Sequence, residues 1–197
     1  NVKERGCCIV MDVNTGGILA MATKDDFNPN EPFEIYDKEK LAEIEAITDQ
    51  AERKKAYSAA QYAQWRNKCV SDTYEPGSVF KIITGSAAIE EDAISLDETY
   101  YCPGYIKISD RTIRCHKTSG HGTQTLAQAY MNSCNPAFIT IGQKLGLELF
   151  TNYRKAYGLE NTTGIDLPGE SSPIVHATES MGPVELASES FGQSFSI

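Results

Sequence analysis

Two side chains that could react together lie within the stretch Tyr74–Thr84. Ser78 and Lys81 are three residues apart, and an apolar run with helical spacing follows the chain break predicted at Pro76-Gly77. A three-residue spacing puts both side chains on one face of a helix. A lysine whose pKa is lowered by burial can take the proton of a serine hydroxyl and make it a nucleophile. The spacing fits a nucleophile–base pair, although a serine before an apolar helix is more often only a cap.

A second stretch offers partners for that pair. Ser133 and Asn135 are two residues apart in the segment Asn132–Pro136, between two predicted helices. An extended or turn conformation would aim both side chains to one side, where a hydroxyl can relay a proton and an amide can bind a carbonyl group. By itself, Ser-x-Asn before proline is more often a turn.

Composition limits the partners. The chain has 197 residues, 41% of them hydrophobic, and a net charge of −9, which argues against a nucleic-acid backbone as ligand. No apolar run approaches the length of a membrane span. Because the chain opens at Asn1, we expect it to be excised from a longer protein with an export and anchoring segment.

The elements that must position these residues are mostly helical. Gly6–Val13 and Ile18–Ala22 predict a hairpin in which Cys7 and Cys8 are buried. The polar stretch 37–68 predicts one or two exposed amphipathic helices. Short strands and turns are predicted over 97–114, and further helices over 78–92, 125–132, 136–145, 147–157 and 185–190.

Four stretches resemble one family in order and spacing. They are Glu75-Pro76-Gly77-Ser78-x-x-Lys81, Gly120-His121-Gly122-Thr123, Ser133-Cys134-Asn135-Pro136 and the loop Thr163–Glu170. Together they resemble the transpeptidase domain of class B penicillin-binding proteins, and most closely its sporulation-specific or elongation-type members from Gram-positive bacteria. The resemblance covers essentially the whole chain.

The resemblance implies an α+β fold, like that of penicillin-binding proteins and serine β-lactamases, with an antiparallel sheet flanked by helices and a mostly helical lobe. It implies that Ser78 is the acylated nucleophile and Lys81 its base, that Ser133 relays a proton, and that Ser133 and Asn135 bind substrate. The implied ligands are peptidoglycan stem peptides ending in D-Ala-D-Ala, and β-lactams that acylate the same serine. The implied setting is the extracytoplasmic face of the cell membrane, beside cell-wall synthesis proteins such as a glycosyltransferase and relevant to antibiotic resistance.

One departure concerns the family's third box, Lys-[Thr/Ser]-Gly, which follows the second box. No such tripeptide follows Asn135, and Lys117-Thr118-Ser119-Gly120 comes too early in the chain. We therefore expect residues 1–197 to be the N-terminal and central part of a single transpeptidase domain, with reduced or no activity alone. A membrane contact would be made only through a segment outside this chain.

A metal site is a separate prediction, since the serine chemistry needs no cofactor. Cys102, Asp110, Cys115 and His116 place four zinc-type ligands close together in sequence, and such a set could hold a structural zinc ion. Because Cys115 and His116 are adjacent, a turn would have to bring them together. A disulfide between Cys102 and Cys115 and a pair of unpaired thiols remain alternatives.

Two other functions compete with transpeptidation. A serine β-lactamase shares the first two boxes but hydrolyses its acyl-enzyme, and no acid can be assigned here to activate the water. A non-catalytic sensor or scaffold would bind β-lactams or cell-wall partners without turnover.

Overall fold

The computed structural model describes residues 6–24 and 26–197, and the chain divides into two compact units. The first consists of the described residues up to Asp72 together with Asp166–Ser171, and the second of Thr73–Ile165 with Ser172–Ile197. The predicted domain range 1–197 also includes residues 1–5 and Asp25, which lie outside the described residues. Among the described residues, no helix has both the length and the apolar character needed to span a bilayer.

The first unit begins with the predicted hairpin, formed by strands β1 (Cys7–Met11) and β2 (Ile18–Thr23). The turn between them is held by the Asp12 carboxylate, which accepts hydrogen bonds from the backbone N–H of Asn14 and the hydroxyl of Thr15. The prediction that Cys7 and Cys8 are buried is wrong, because both are exposed in a two-stranded sheet that the described residues leave largely uncovered.

Three helices complete this unit: α1 (Lys38–Glu45), α2 (Gln50–Trp65) and α3 (Lys68–Ser71). Each begins at a side-chain cap, from Asp37, Asp49 and Asn67 respectively. Such caps satisfy backbone N–H groups that have no partner within the helix. The three helices bury only Ile44 and Val70, in agreement with the predicted exposed surface.

In the second unit a 3₁₀ turn at Gly77–Phe80 continues directly into α4 (Lys81–Glu90). Helix α4 packs against α6 (Asn135–Leu145), which is the most deeply buried helix of the unit. Close packing around α4 depends on a small residue, since a Cβ atom on Gly85 would overlap the Tyr130 hydroxyl. The core around α4 and α6 is built from the helical residues that flank Ser78 and Asn135.

Two short antiparallel ladders lie beside these helices. Strand β3 (Thr99–Cys102) pairs with β6 (Gly122–Thr125), and β4 (Tyr105–Ile108) pairs with β5 (Arg111–Arg114). The sequence indicated short strands over 97–114 but not β6. Strand β6 leads into α5 (Leu126–Met131), whose predicted cap, Thr125, forms a reciprocal capping box with Gln128.

The unit closes with α7 (Leu147–Ala156) and α8 (Pro183–Glu189). Arg154 of α7 is almost fully buried and donates to the carboxylates of Glu160 and Glu189 and to the backbone carbonyl of His176. A buried guanidinium needs such partners to offset the loss of water. This network ties α7 and α8 to the segment that follows Ser172.

Candidate active site

Ser78 and Lys81 lie at the start of one continuous helical segment. Ser78 is exposed within the 3₁₀ turn, whereas Lys81, the first residue of α4, is only 2% exposed. The Nζ atom of Lys81 lies 3.0 Å from Oγ of Ser78. The structure therefore brings the two predicted residues together, with the hydroxyl open to solvent and the amine buried behind it.

Ser133 and Asn135 reach the same lysine from the junction of α5 and α6. Ser133 has φ of +46°, in the left-handed region that side chains other than glycine rarely adopt. Its Oγ lies 2.9 Å from Lys81 Nζ and 2.9 Å from Ser78 Oγ, and Asn135 Oδ1 lies 2.8 Å from the same Nζ. The strained turn thus aims both side chains at the nucleophile–base pair.

The hydrogen bonds around Lys81 suit a base. A neutral amine has two N–H donors and one lone pair. It can donate to Asn135 Oδ1 and to the Ser133 backbone carbonyl, 2.8 Å away, while its lone pair faces the Ser78 hydroxyl. Ser133, which bridges the two, can pass a proton between Ser78 and Lys81. The geometry supports activation of Ser78 at neutral pH.

The electrostatic setting favours the neutral amine. Burial lowers the pKa of Lys81 to about 8, since removal from water penalises the charged form. Coulombic interactions with Cys134 and Cys115 act in the opposite direction and limit the shift in the pKa of Lys81. A substantial fraction of Lys81 is then able to accept a proton near physiological pH.

The turn that carries Ser78 is held by a glycine–glycine contact. Gly77 and Gly192 both have positive φ, and the Gly77 N–H donates to the Gly192 carbonyl at 2.8 Å. A Cβ atom on Gly192 would lie 2.0 Å from the Gly77 carbonyl oxygen. The Glu75 carboxylate accepts from the backbone N–H of Ser194, 2.8 Å away, which anchors the same turn from its other side.

The predicted metal set does not assemble. Asp110 lies in the β4–β5 turn with its side chain 83% exposed and its carboxylate beside Arg111. His116 is exposed, and its Nδ1 lies 3.9 Å from the Cys115 sulfur, but it is outside the set of ligand atoms that come within 4.8 Å of one another. The prediction that Asp110 and His116 complete the set is therefore wrong.

A different set does come together. The ligand atoms of Cys102, Cys115, His121 and Cys134 all lie within 4.8 Å of one another. The sequence analysis did not include Cys134 in the predicted metal set. Its position between Ser133 and Asn135 was a signal, because a residue between two that face one side of a turn points to the other side. All six cysteines of the chain are free thiols in the structure.

The thiols in this set differ in their pKa. Burial raises the pKa of the Cys102 thiol, but backbone N–H groups of His121 and Gly104 donate to its sulfur, and the pKa lies below its usual value. Burial raises the pKa of the Cys134 thiol to about 12. The pKa of His121 is lowered, mainly by burial and secondly by the nearby His116. Its imidazole is therefore neutral and can offer a lone pair.

Comparison with known proteins identifies a family whose model matches this chain. The model of the penicillin-binding protein transpeptidase domain matches residues 6–197. Stage V sporulation protein D of Bacillus subtilis is 37% identical over 190 residues, and PbpB of Mycolicibacterium smegmatis, a penicillin-binding protein, is 30% identical over 189. Each alignment covers 96% of this chain and 26% of the relative, so the chain spans about a quarter of the length of these proteins.

Solved structures agree on the fold. Penicillin-binding protein 3 of Mycobacterium tuberculosis, in complex with aztreonam, superposes with a TM-score of 0.74 and 28% identity over 98% of this chain and 38% of its own. Penicillin-binding protein 2 of Pseudomonas aeruginosa has a TM-score of 0.76 at 21% identity, covering 98% of this chain and 43% of its own. The predicted α+β fold is confirmed.

Proposed function

Because the chain belongs to the penicillin-binding protein transpeptidase family, we propose that it carries the acylation centre of a peptidoglycan D,D-transpeptidase. One observation carries the proposal: a nearly fully buried lysine amine, with a pKa of about 8, lies 3.0 Å from an exposed serine hydroxyl. A buried amine of lowered pKa beside a hydroxyl is the arrangement that nucleophilic acyl transfer needs.

The reaction begins with acylation of Ser78. Lys81 takes the proton of the Ser78 hydroxyl as Oγ attacks the carbonyl of the penultimate D-Ala in a stem peptide. The tetrahedral intermediate collapses, the bond to the terminal D-Ala breaks, and Ser133 passes a proton to the leaving amine. Asn135 Oδ1 holds Lys81 in place, and its Nδ2, which lies 3.4 Å from the Arg114 carbonyl oxygen in the free protein, donates to the substrate's acyl-side carbonyl.

The second half forms the cross-link. An amine of a neighbouring stem peptide attacks the ester carbonyl on Ser78, its proton passes to Lys81, and Ser78 leaves with its own proton restored. A β-lactam acylates Ser78 by the same first step, but its ring opens without releasing a fragment, so the adduct persists.

The setting follows from the same proposal. The relatives are named as sporulation and penicillin-binding proteins, and we place this chain at the extracytoplasmic face of the cell membrane beside a glycosyltransferase that supplies nascent glycan strands. The 37% identity to stage V sporulation protein D makes sporulating cells the first place to look for its role.

The test is acylation of the full-length protein by benzylpenicillin, followed by intact mass under denaturing conditions. We expect one adduct on the wild-type protein and none on Ser78→Ala. The control is Ser86→Ala, which should keep the adduct: it removes a hydroxyl of the same helical segment, one that donates to the Ile83 carbonyl. A wild-type protein that is folded but forms no adduct contradicts the proposal.

The fate of the adduct separates the competing functions. Release of hydrolysed penicillin with rapid turnover would assign a β-lactamase instead. A stable adduct without cross-linked dimers from lipid-linked peptidoglycan precursors would assign a sensor or scaffold. Cross-linked dimers that disappear in Ser78→Ala support transpeptidation.

A further inference from the structure

The six cysteines of the chain fall into two groups, one in each compact unit. Three belong to the cysteine–histidine set of the second unit, and the other three, Cys7, Cys8 and Cys69, lie in the first. Cys7 and Cys8 are exposed on β1, and Cys69 is partly buried on α3. The acylation of Ser78 uses none of these three thiols, so their placement has to be explained separately.

Helix α3 packs against the β1–β2 hairpin. Its cap residue Asn67 donates from Nδ2 to the Met21 sulfur, 3.4 Å away. Two residues later, the Cys69 sulfur lies 3.6 Å from the Ala22 carbonyl oxygen. The helix therefore holds the Cys69 thiol against the strands.

The strand register decides which cysteine of β1 faces this helix. Cys7 pairs with Thr23. Successive side chains of a strand alternate between the two faces, so Thr23 shares a face with Met21, the residue that α3 contacts. Residues directly opposite each other in an antiparallel pair also share a face. Cys7 is therefore on the face that α3 covers, and its neighbour Cys8 is on the other.

The thiols of Cys7 and Cys69 come together at this point. Their side chains interact with each other, and the backbone N–H of Cys8 donates to the Cys69 sulfur. Burial, followed by the Cys7 thiol, raises the pKa of the Cys69 thiol. Two thiols in contact between a strand and a helix meet the proximity that a disulfide bond requires.

We propose that Cys7 and Cys69 are the site of a disulfide bond, formed by exchange with an external disulfide compound as the oxidant. The exposed Cys7 thiolate attacks one sulfur of the oxidant, and the other sulfur leaves as a thiol. The Cys69 sulfur then attacks the Cys7 sulfur, the bond between the two cysteines forms, and the second thiol leaves. The two thiols released carry the two protons that the cysteines lose, so the cysteine pair is oxidised and the oxidant is reduced.

The bond would join the first strand of this unit to α3 and enclose α1 and α2 in the loop. The three helices bury only Ile44 and Val70. A unit with so small a core gains stability from a cross-link that restricts its unfolded chain, and a long loop gains most in the chain-entropy account. Cysteines that serve only as small apolar groups are buried as a rule, whereas Cys7 is exposed.

The proposed extracytoplasmic location supplies the oxidising setting, whereas the contact between the two thiols does not depend on the proposed function. The test is peptide mapping of the full-length protein after reduction, removal of the reductant and treatment with oxidised glutathione. Free thiols are blocked with N-ethylmaleimide, and the protein is digested with trypsin without a reductant. We expect peptide 6–24 joined to peptide 69–81 by a disulfide.

The masses of fragment ions identify the bonded residues. Peptide 69–81 has Cys69 as its single cysteine, whereas peptide 6–24 contains both Cys7 and Cys8. We expect the bond at Cys7. Folded wild-type protein in which Cys7 and Cys69 both remain open to N-ethylmaleimide overturns the proposal, and so does a bond from Cys8 to either of the other two.

Substitutions give a second, independent readout. The joined peptides should be absent in Cys7→Ser and Cys69→Ser and present in Cys8→Ser, the matched control on the same strand. Equal loss in Cys8→Ser contradicts the proposal. All three variants should still be acylated by benzylpenicillin, because Ser78 and Lys81 are unchanged; acylation of the same samples therefore separates a failure of this proposal from a failure of the proposed function.

The stabilising role has its own measurement. Reduction should lower the melting temperature of the oxidised wild-type protein by about 5–10 °C, the effect expected for a cross-link that closes a long loop. Cys69→Ser, which cannot form the bond, should melt at the same temperature with and without reductant. An equal response of the two proteins contradicts a stabilising bond at this site.

Discussion

The serine–lysine site and the cysteine–histidine set share one tripeptide, but their residues are distributed differently along the sequence. The first uses two short stretches whose spacing already indicates a shared function, namely Ser78 with Lys81 and Ser133 with Asn135. The second takes one residue from each of four segments, and the spacing between those residues follows no regular pattern. In the tripeptide 133–135 the outer residues contact Lys81, and the middle one joins the cysteines.

The comparison shows why one site was recognisable and the other was not. A three-residue spacing on a helix places side chains together wherever the helix lies. Ligands that follow strands and loops converge only after those loops fold back, and glycines such as Gly104 and Gly120 decide where they return. Substitutions can separate the two sites experimentally.

Removal of the base should have the largest effect. In Lys81→Ala the rate constant for acylation by a labelled penicillin is expected to fall about 10²–10⁴-fold, the usual contribution of a general base. Lys117→Ala, in the early Lys-Thr-Ser-Gly stretch, should leave the rate unchanged. A comparable loss in both variants, measured by gel fluorescence over time, would contradict the assignment of Lys81.

The glycine contact beneath Ser78 should have the next largest effect. Gly192→Ala forces a side chain into the Gly77 backbone at positive φ, and we expect a loss of about 3 kcal/mol in the free energy of unfolding and slower acylation. Gly158 also has positive φ, but nothing lies within 4 Å of its Cβ position. Gly158→Ala should cost only about 1–2 kcal/mol, as measured by urea unfolding, and leave acylation unchanged.

Loss of His121 from the cysteine–histidine set should slow the serine chemistry less than loss of the base. In His121→Ala the Ser133–Asn135 turn is expected to loosen, and a small displacement of catalytic groups can cost about tenfold to 10²-fold in rate. His116→Ala is the control. Identical acylation rates in the two variants would show that the two sites act independently.

The pH dependence of acylation reports the base directly. Since the pKa of Lys81 is about 8, the neutral fraction of the amine, which acts as the base, falls steadily as the pH drops below that value. The acylation rate constant should rise by up to about tenfold per pH unit on the acidic side and level off above the pKa. A rate that is flat between pH 6 and pH 9, in stopped-flow measurements, would exclude Lys81 as the base.

The smallest effect is expected at the position wrongly assigned to the metal. Asp110→Ala removes an exposed carboxylate from a turn, so the free energy of unfolding should change by no more than about 0.5 kcal/mol. The acylation rate constant should also match that of the wild type. Slower acylation in this variant would contradict the conclusion that Asp110 lies apart from the site.

Some features were determined by the sequence alone, because they rest on local chemistry. The β1–β2 hairpin, the Thr125 cap, the breaks at Gly146 and Gly158 and the Ser78–Lys81 spacing each depend on residues a few positions apart, and the structure bears them out. The resemblance on four motifs likewise led to the family and the fold. Local rules suffice where the partners are neighbours in the chain.

Other features were decided only by tertiary structure. Burial of Lys81, and with it a pKa near 8, depends on the packing of α4 against α6 rather than on any residue beside it. The choice of His121 over His116 and the inclusion of Cys134 depend on where loops return and which way alternate side chains face. The exposure of Cys7 and Cys8 depends on what covers the hairpin. Long-range packing sets each of these, and a residue's sequence neighbours do not encode it.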